Sequence, residues 1–168
     1  MRVIVINGKP TAGKSTFIKL CEQLNPFVEE LSMVDFVKEV ATYADWDGLK
    51  NEKGRKFLAN IKIAIEQYDK NIIYNHINDD IKSFLSFCNK VEEDPIFFIN
   101  ARNPSDIKYL VNKYNAVSLF IDNPNVPMVE SNSEDKNIEN YKYDITIIND
   151  GTLEDLKVKA KEFLSSLK

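Results

Sequence analysis

The chain opens with the stretch that decides its fold, Arg2-Val3-Ile4-Val5-Ile6-Asn7 followed at once by Gly8-Lys9-Pro10-Thr11-Ala12-Gly13-Lys14-Ser15. The first six residues are a β-branched run typical of a buried parallel strand. The next eight match G-x-x-x-x-G-K-S, the pattern of a phosphate-binding loop. From Lys14 to about Leu24, apolar residues at positions 17, 18, 21 and 24 share one helical face. A strand, a loop and an amphipathic helix therefore follow one another, as the motif requires.

Each position of the loop has a chemical task. Gly8 and Gly13 let the backbone turn tightly and approach phosphate oxygens, and successive N–H groups converge on an anion. Lys14 can reach the terminal phosphates, and Ser15 can place its hydroxyl on Mg²⁺. The start of the following helix adds partial positive charge. The sequence thus predicts a site for a nucleoside triphosphate and Mg²⁺, with Lys14 catalytic and Ser15 on the metal. We expect ATP, although the motif does not decide between ATP and GTP. The site is built from Gly8, Lys9, Ala12, Gly13, Lys14, Ser15 and Thr16.

Composition sets the broad class of the protein. The chain has 168 residues, 43% hydrophobic and 29% charged, which fits one domain over 1–168. No apolar run approaches the ~20 residues of a membrane span. Cys21 and Cys88 lie in helical apolar patterns typical of reduced core residues. The net charge of -4 argues against a nucleic-acid surface. We expect a cytoplasmic protein without nucleic-acid or membrane partners, of undetermined oligomeric state.

Strands and helices alternate along the rest of the chain, with one interruption. Further strands are predicted at 28–34, 95–99, 116–121 and 145–148. Two long helical patterns, 52–70 and 72–89, follow one another without a strand, which indicates a helical insert over about 35–90. Residues 123–140 are polar and contain Pro124 and Pro127, as expected of a lid. The predicted fold class is α/β, a three-layer P-loop domain with a five-stranded parallel sheet, a helical insert and a lid.

Asp35 lies where the second strand pattern turns helical, and two interpretations stay open. It could be an N-cap that accepts hydrogen bonds from the first N–H groups of the helix. It could also be an acid at the carboxyl edge of a parallel sheet, where α/β proteins bind their ligands.

The layout resembles the nucleoside and nucleotide kinase branch of P-loop proteins, and in particular the phage-type deoxynucleoside monophosphate kinases with their relatives dephospho-CoA kinase and phosphomevalonate kinase. The matching stretches spread over nearly the whole chain. They are the loop itself, Asp35-Phe36-Val37-Lys38-Glu39-Val40-Ala41, Gly54-Arg55-Lys56-Phe57-Leu58, Ile99-Asn100-Ala101-Arg102, and the ending from Tyr143-Asp144-Ile145 to Asn149-Asp150-Gly151-Thr152-Leu153.

The resemblance implies transfer of the γ-phosphoryl group of ATP to a small phosphorylated acceptor, first of all a ribo- or deoxyribonucleoside monophosphate. In this interpretation the helical insert binds the acceptor. Arg55 and Arg102 hold the acceptor phosphate, with Arg102 also catalytic. Asp35 contacts the acceptor and takes part in catalysis, with Lys38 beside it. On the adenine side the resemblance assigns donor binding to the turn that holds Asn149 and Gly151.

Two departures from the family pattern leave alternatives open. Such kinases often carry an aspartate at the end of the third strand, where Asn100 stands, and an arginine in the lid, where residues 123–140 hold only Lys136. Either Arg102 or Arg55 takes over the arginine's task, or turnover is slow. The alternatives are a hydroxyl kinase of the dephospho-CoA kinase type and a nucleotide-binding regulator with little turnover.

A GTPase switch is the rival from another class. Asp45 to Gly48 matches D-x-x-G, and Asn89-Lys90-Val91-Glu92 imitates a guanine-reading motif. The first follows a helical pattern instead of a strand, and the second precedes its strand. We therefore interpret both matches as accidental.

Overall fold

A five-stranded parallel sheet with the strand order β2-β3-β1-β4-β5 forms the centre of the fold. The computed structural model describes residues 1–49, 51–89, 93–126 and 141–167. The strands are β1 Arg2–Gly8, β2 Val28–Ser32, β3 Ile96–Asn100, β4 Val117–Asp122 and β5 Ile145–Ile148. β1 pairs in parallel with both β3 and β4, so the phosphate-binding loop leaves the middle of the sheet at its carboxyl edge.

The six helices of the described residues are α1 Lys14–Leu24, α2 Asp35–Tyr43, α3 Glu52–Asp69, α4 Asn71–Cys88, α5 Pro104–Tyr114 and α6 Leu153–Ser166. The predicted fold class is confirmed, and the predicted elements agree with these bounds within about two residues. The strand predicted to reach residue 34 ends earlier, because Met33 lies in a turn and Val34 is the N-cap of α2. The predicted lid lies outside the described residues from position 127 onward.

The chain divides into two compact units, 1–30 with 88–168 and 31–87. The first unit holds the phosphate-binding loop and all strands except the last two residues of β2. The second unit, which covers most of the stretch predicted as a helical insert, contains α2, α3 and nearly all of α4.

The first unit has a core on each face of its sheet, since successive strand side chains point to opposite faces. On one face, α1 and α6 pack against each other over a cluster that includes Ile4, Ile6, Phe98 and Leu119. Phe17 meets Phe98 and Phe163 edge to face there, with ring centroids 6.2 and 5.6 Å apart. On the other face, α5 packs against β1 and β4 and buries Ile107 and Leu110.

Both cysteines are buried in the first unit, as the sequence predicts. Burial raises the pKa of the Cys21 thiol to about 12, so this thiol is a neutral core group near neutral pH. Leu24 does not belong to the same stripe, since it is 41% exposed. It is the last residue of α1, and Leu20 takes the inward position instead.

In the second unit, α2 packs against α3, with Val37 and Ala41 buried. α4 buries a stripe of its own, formed by Ile73, Tyr74, Ile77 and Ile81. The ring of Phe36 lies 4.6 Å from that of His76, whose Nε2 is 3.3 Å from a Glu39 carboxylate oxygen. The chain's only histidine is thus a packing residue between helices of this unit.

Candidate nucleotide-binding site

The loop between β1 and α1 has the backbone shape that its sequence predicts. Gly8 and Gly13 have φ values of 152° and 101°, and Thr11 also has a positive φ, of 63°. The N–H of Ala12 donates to the carbonyl of Lys9 at 3.1 Å, which closes a turn, and Gly13 is the N-cap of α1. The first orphan N–H groups of α1 therefore begin where the loop ends, as an anion site at a helix N-terminus requires.

Gly8 is required for packing as well as for its backbone angle. A Cβ at this position would collide with the carbonyl oxygen of Ile121 in the neighbouring strand β4. We expect Gly8→Ala to lower the free energy of unfolding by about 3 kcal/mol, because the clash with backbone adds to the strain of the positive φ.

The matched control for Gly8 is Gly48→Ala. Gly48 has φ 78°, and a Cβ there meets nothing within 4 Å, so only the backbone strain of about 1 kcal/mol should appear. Urea unfolding of both variants checks the difference. Equal losses in the two variants would show that β4 does not restrict Gly8.

The side chain of Lys14 contacts the backbone of the loop that precedes this residue. Its Nζ donates to the carbonyl oxygens of Gly8 at 2.6 Å and Lys9 at 2.9 Å. A second cation is near, because Nζ of Lys9 lies 3.9 Å from a carboxylate oxygen of Asp122 at the end of β4. Two lysines therefore lie at the carboxyl edge of the central strands, which suits a highly charged anion.

Asn149 holds the loop from the side of β5. Its Nδ2 donates to the carbonyl of Ala12 at 2.8 Å, and its own N–H donates to the carbonyl of Asp122 at 2.6 Å. A Cβ on Gly13 would collide with the Asn149 amide, so this pair packs only with glycine at 13. Gly151 lies in the following turn, just before the capping box of Thr152 and Asp155 that starts α6. The predicted donor-binding role of Asn149 and Gly151 remains a prediction.

Asn7 lies beside the candidate site, although no pattern in the sequence singles it out. It is 1% exposed, and its Oδ1 accepts the N–H of Gly8 at 2.8 Å. Its Nδ2 donates to the hydroxyl of Tyr143 at 2.8 Å and to the carbonyl of Arg102 at 3.4 Å. Burial raises the pKa of Tyr143 to about 12, although the hydrogen bond from Asn7 acts against it. Asn7 thus joins the loop to the segments after β3 and before β5. In the sequence, the only sign of this role is a polar residue near the end of an apolar strand.

Asn100, at the position where the kinases that the sequence resembles often have aspartate, has a carboxylate partner. Its Nδ2 donates to Oε1 of Glu30 at 2.7 Å. Asn100 is level with Ile6 of β1, two residues before the loop begins. The sequence does not indicate a role for Glu30. The only signal is that a polar residue interrupts the alternation of the second predicted strand.

Arg102 follows β3 in the first unit and is half-buried. Its backbone is held by Asn7, which ties it to the strand that carries the loop. Three predicted acceptor residues, Asp35, Lys38 and Arg55, belong to the second unit. Arg55 is exposed on the first turns of α3, a helix capped by the side chain of Asn51.

The N-cap interpretation of Asp35 is wrong. Val34 is the N-cap of α2, without any side-chain hydrogen bond, and Asp35 is the first helical residue. Its carboxylate instead accepts a hydrogen bond from Nζ of Lys38 at 2.6 Å, one turn further on. Asp35 is therefore an ion-paired acid in the first turn of α2.

Asp144 ties β5 to β4 near the amino ends of both strands. One carboxylate oxygen accepts the hydroxyl of Ser118 at 2.6 Å and its N–H at 2.8 Å. These bonds, the hydroxyl first, hold the pKa of Asp144 below its ordinary value of 3.8.

We expect Asp144→Asn to lower the free energy of unfolding at neutral pH by about 1 kcal/mol, a modest loss because the side chain is exposed. Because the folded pKa is depressed, the contribution is complete well above pH 3.8 and is lost as pH falls through the folded value. Denaturant titrations should give a constant difference from wild type above pH ~5 that shrinks below 3.8. Asp79→Asn, which removes an exposed pair with Lys82, is the control. A difference independent of pH would contradict this role of the Asp144 carboxylate.

The residues at this edge fit a magnesium ion. Hard oxygen donors suit Mg²⁺, and the Ser15 hydroxyl, the Asn100 amide and the Glu30 and Asp122 carboxylates are all of that kind. Within the described parts of the chain, no three histidine, cysteine or acidic side chains gather into a metal cluster.

Neither motif of the GTPase alternative directly follows a strand in the described parts of the chain. Asp45 follows the end of α2 with φ 57°, in a turn where Asp47 accepts the N–H of Leu49. Asn89 lies after α4, before β3 begins, and Lys90 is outside the described residues.

Comparison with known proteins shows which folds this chain resembles. No protein-family model and no curated protein sequence matches this chain. Solved structures do match: shikimate kinase from Acinetobacter baumannii in complex with shikimate (TM-score 0.53, 12% identity, 100% of this chain and 95% of that one); dephospho-CoA kinase from Campylobacter jejuni (0.51, 15%, 99% and 97%); and an unliganded sugar kinase from Janibacter (0.51, 16%, 98% and 95%).

These likenesses define the fold. At identities of 12 to 16% they show architecture alone, and the chain has the fold of the P-loop kinases. The resemblance drawn from the sequence is thereby confirmed at the level of the fold. No helix in the described ranges has both the length and the apolar character needed to cross a membrane.

Proposed function

We propose that this protein is an ATP-dependent kinase that transfers the γ-phosphoryl group to a small phosphorylated acceptor, specifically a ribo- or deoxyribonucleoside monophosphate. The observation that carries the proposal is the geometry of the loop. Lys14 donates to the carbonyls of Gly8 and Lys9 at the carboxyl edge of β1, in a fold shared with P-loop kinases. That edge is where open α/β sheets bind their ligands.

The donor is held mainly by backbone and by lysine. The loop N–H groups and the start of α1 bind the β- and γ-phosphates, and Lys14 moves from the loop carbonyls to the phosphate oxygens. Lys9 adds charge at the same edge. Ser15 would hold a bound Mg²⁺ ion, which would supply neutralisation of charge on the donor phosphates. Asn149 keeps the loop in shape through the carbonyl of Ala12.

The reaction conserves phosphate groups. An oxygen of the acceptor phosphate forms a bond to the γ-phosphorus as the bond between that phosphorus and the β–γ bridging oxygen breaks, giving ADP and a nucleoside diphosphate. The acceptor phosphate is ionised near neutral pH, so no general base is needed. The two anions must instead be held together, and arginine does this by bidentate hydrogen bonding.

Arginine is scarce in this chain, which makes its placement informative. Of three arginines, Arg2 begins β1 at the amino edge, Arg102 follows β3 at the carboxyl edge, and Arg55 lies exposed on α3. We assign Arg102 to the acceptor phosphate and the transferring group, and Arg55 to the acceptor phosphate. Asp35 and Lys38 contact the acceptor as an ion pair.

A hydroxyl kinase of the dephospho-CoA kinase type is the second candidate. Dephospho-CoA kinase is among the similar folds, and a hydroxyl acceptor needs a carboxylate to take its proton. Asp35 is the candidate for that base. The hydrogen bond from Lys38 occupies one of its oxygens, which favours the monophosphate acceptor. A nucleotide-binding regulator is the remaining alternative, motivated by Asn100 in place of aspartate.

An acceptor panel separates these candidates. The protein is incubated with ATP or GTP and Mg²⁺, and ADP or GDP formation is followed by a coupled assay. The panel contains ribo- and deoxyribonucleoside monophosphates, dephospho-CoA and small phosphorylated alcohols. We expect turnover with at least one nucleoside monophosphate well above the acceptor-free rate. Turnover confined to dephospho-CoA or the alcohols would support the second candidate, and donor binding without turnover on any acceptor would support the regulator.

A further inference from the structure

Glu30 and Asn100 form a pair on the face of the sheet that carries α1. Alternate residues of a strand share a face, so Glu30 points with Val28 and Asn100 points with Phe98. Val28 and Phe98 both belong to the core cluster under α1 and α6. The hydrogen bond of 2.7 Å between the two polar side chains therefore lies on the side of the sheet from which the loop enters its helix.

Along the strand direction, the pair also lies close to the level at which the phosphate-binding loop begins. Asn100 is the last residue of β3 and is level with Ile6, and the next N–H, that of Ala101, donates to the carbonyl of Ile6 at 3.3 Å. Gly8 begins the loop only two residues after Ile6. Face and height together place the pair beside the start of the phosphate-binding loop.

The chemistry of the pair determines the orientation of the Asn100 side-chain amide. A carboxylate only accepts hydrogen bonds, so Asn100 must present its NH₂ group to Glu30. The amide oxygen then points away from Glu30. An oriented amide oxygen is a hard acceptor of the kind that hydrated Mg²⁺ uses, and the carboxylate behind it carries one negative charge. Together the two side chains supply what an aspartate at position 100 would supply alone.

We propose that Glu30 is a positioning residue for the Mg²⁺ ion of the donor nucleotide, acting through the amide of Asn100. The inference rests on the proposed function only in taking a magnesium nucleotide as the donor. In this inference the side chain of Asn100 would contact the water molecules bound to the metal. The departure of Asn100 from the family pattern is then compensated by a glutamate from the neighbouring strand β2.

The competing explanation is structural, since the same hydrogen bond links β2 to β3. The two explanations differ in what Mg²⁺ does. A link between strands changes the free energy of unfolding and leaves metal binding alone. A positioning role changes how strongly Mg²⁺ and nucleotide favour each other's binding. Groups that orient metal ligands typically contribute 10- to 100-fold to metal affinity.

The test measures ADP binding by calorimetry, without acceptor, at saturating Mg²⁺ and again in EDTA. For wild type, the ratio of the two affinities gives the magnesium linkage. We expect Glu30→Gln to reduce this ratio roughly tenfold while the affinity in EDTA stays within about twofold. Glu29→Gln, a neighbouring change of the same kind on the opposite face of β2, should leave the ratio unchanged.

A charge swap completes the test. Asn100→Asp alone places two carboxylates in contact and should lower the free energy of unfolding. In the Glu30→Gln/Asn100→Asp double variant the carboxylate is at position 100 and the amide behind it, and the magnesium ratio should return to within about threefold of wild type. A wild-type ratio in Glu30→Gln with only stability changed would overturn the inference, as would nucleotide binding independent of Mg²⁺ in wild type. Because no acceptor is present, absence of kinase turnover would count against the proposed function and not against this inference.

Discussion

Lys14→Ala is expected to lower kcat/KM for the donor by roughly 10³-fold, a loss that we expect no other single substitution in the chain to exceed. The ammonium group of Lys14 donates to two loop carbonyls, at 2.6 and 2.9 Å, so it lies within reach of anything the loop binds. Charge developing on the transferring phosphoryl group loses its nearest side-chain donor when the ammonium is removed. Alanine is a good helix former at the first residue of α1, so the fold should be retained.

The control for Lys14→Ala is Lys19→Ala, which removes the same charge from an exposed position of the same helix. Its kinetics and nucleotide affinity should match wild type. Calorimetry gives the ATP affinity of each variant, and circular dichroism shows that each is folded. Unchanged ATP affinity in a folded Lys14→Ala variant would contradict the assignment of the loop.

Arg102→Ala is expected to raise the acceptor KM and lower kcat together, with a combined loss of roughly 10²-fold to 10³-fold. The guanidinium would contact the acceptor phosphate in both the ground state and the transition state, so both parameters should change. Arg102→Lys should recover only part of the loss, because lysine keeps the charge without the bidentate fork. Arg2→Ala, which removes the arginine at the amino edge of β1, is the matched control and should behave as wild type.

Asp35→Asn makes the Arg102 result diagnostic of acceptor class. With a phosphate acceptor there is no proton to remove, so this variant should retain substantial activity. With a hydroxyl acceptor a positioned carboxylate contributes typically 10²–10⁴-fold, and the same variant should lose nearly all turnover. If Asp35→Asn abolishes turnover with acceptor binding intact while Arg102→Ala is mild, the monophosphate assignment is wrong.

Local patterns predicted the fold because its elements depend on local chemistry. The run from Arg2 to Ile6 belongs to a strand that is buried from Val3 onward, and the glycines of the loop take the positive φ values that the motif needs. The strand at 28–34 was overextended because apolar residues continue into the turn and N-cap of the next helix.

Several contacts around the candidate site were beyond local patterns, because they join residues far apart in the chain. Asn149 reaches Ala12 across 137 positions, Asn7 reaches Tyr143 across 136, and Asn100 reaches Glu30 across 70. Each contact depends on the order of strands in the sheet, which periodicity does not determine. The N-cap interpretation of Asp35 depended on similar information, because the backbone angles at Val34 decide which residue caps α2.

The most direct test of kinase activity toward a monophosphate follows the γ-phosphorus itself. Wild-type protein, Mg²⁺-ATP and the best acceptor of the panel are followed by ³¹P nuclear magnetic resonance, with Lys14→Ala as the blank. We expect the monophosphate signal of the acceptor to decline together with the γ signal of ATP while the signals of nucleoside diphosphates grow, and none of this with Lys14→Ala. A new phosphate monoester signal on the acceptor, or inorganic phosphate alone, would contradict the proposed function.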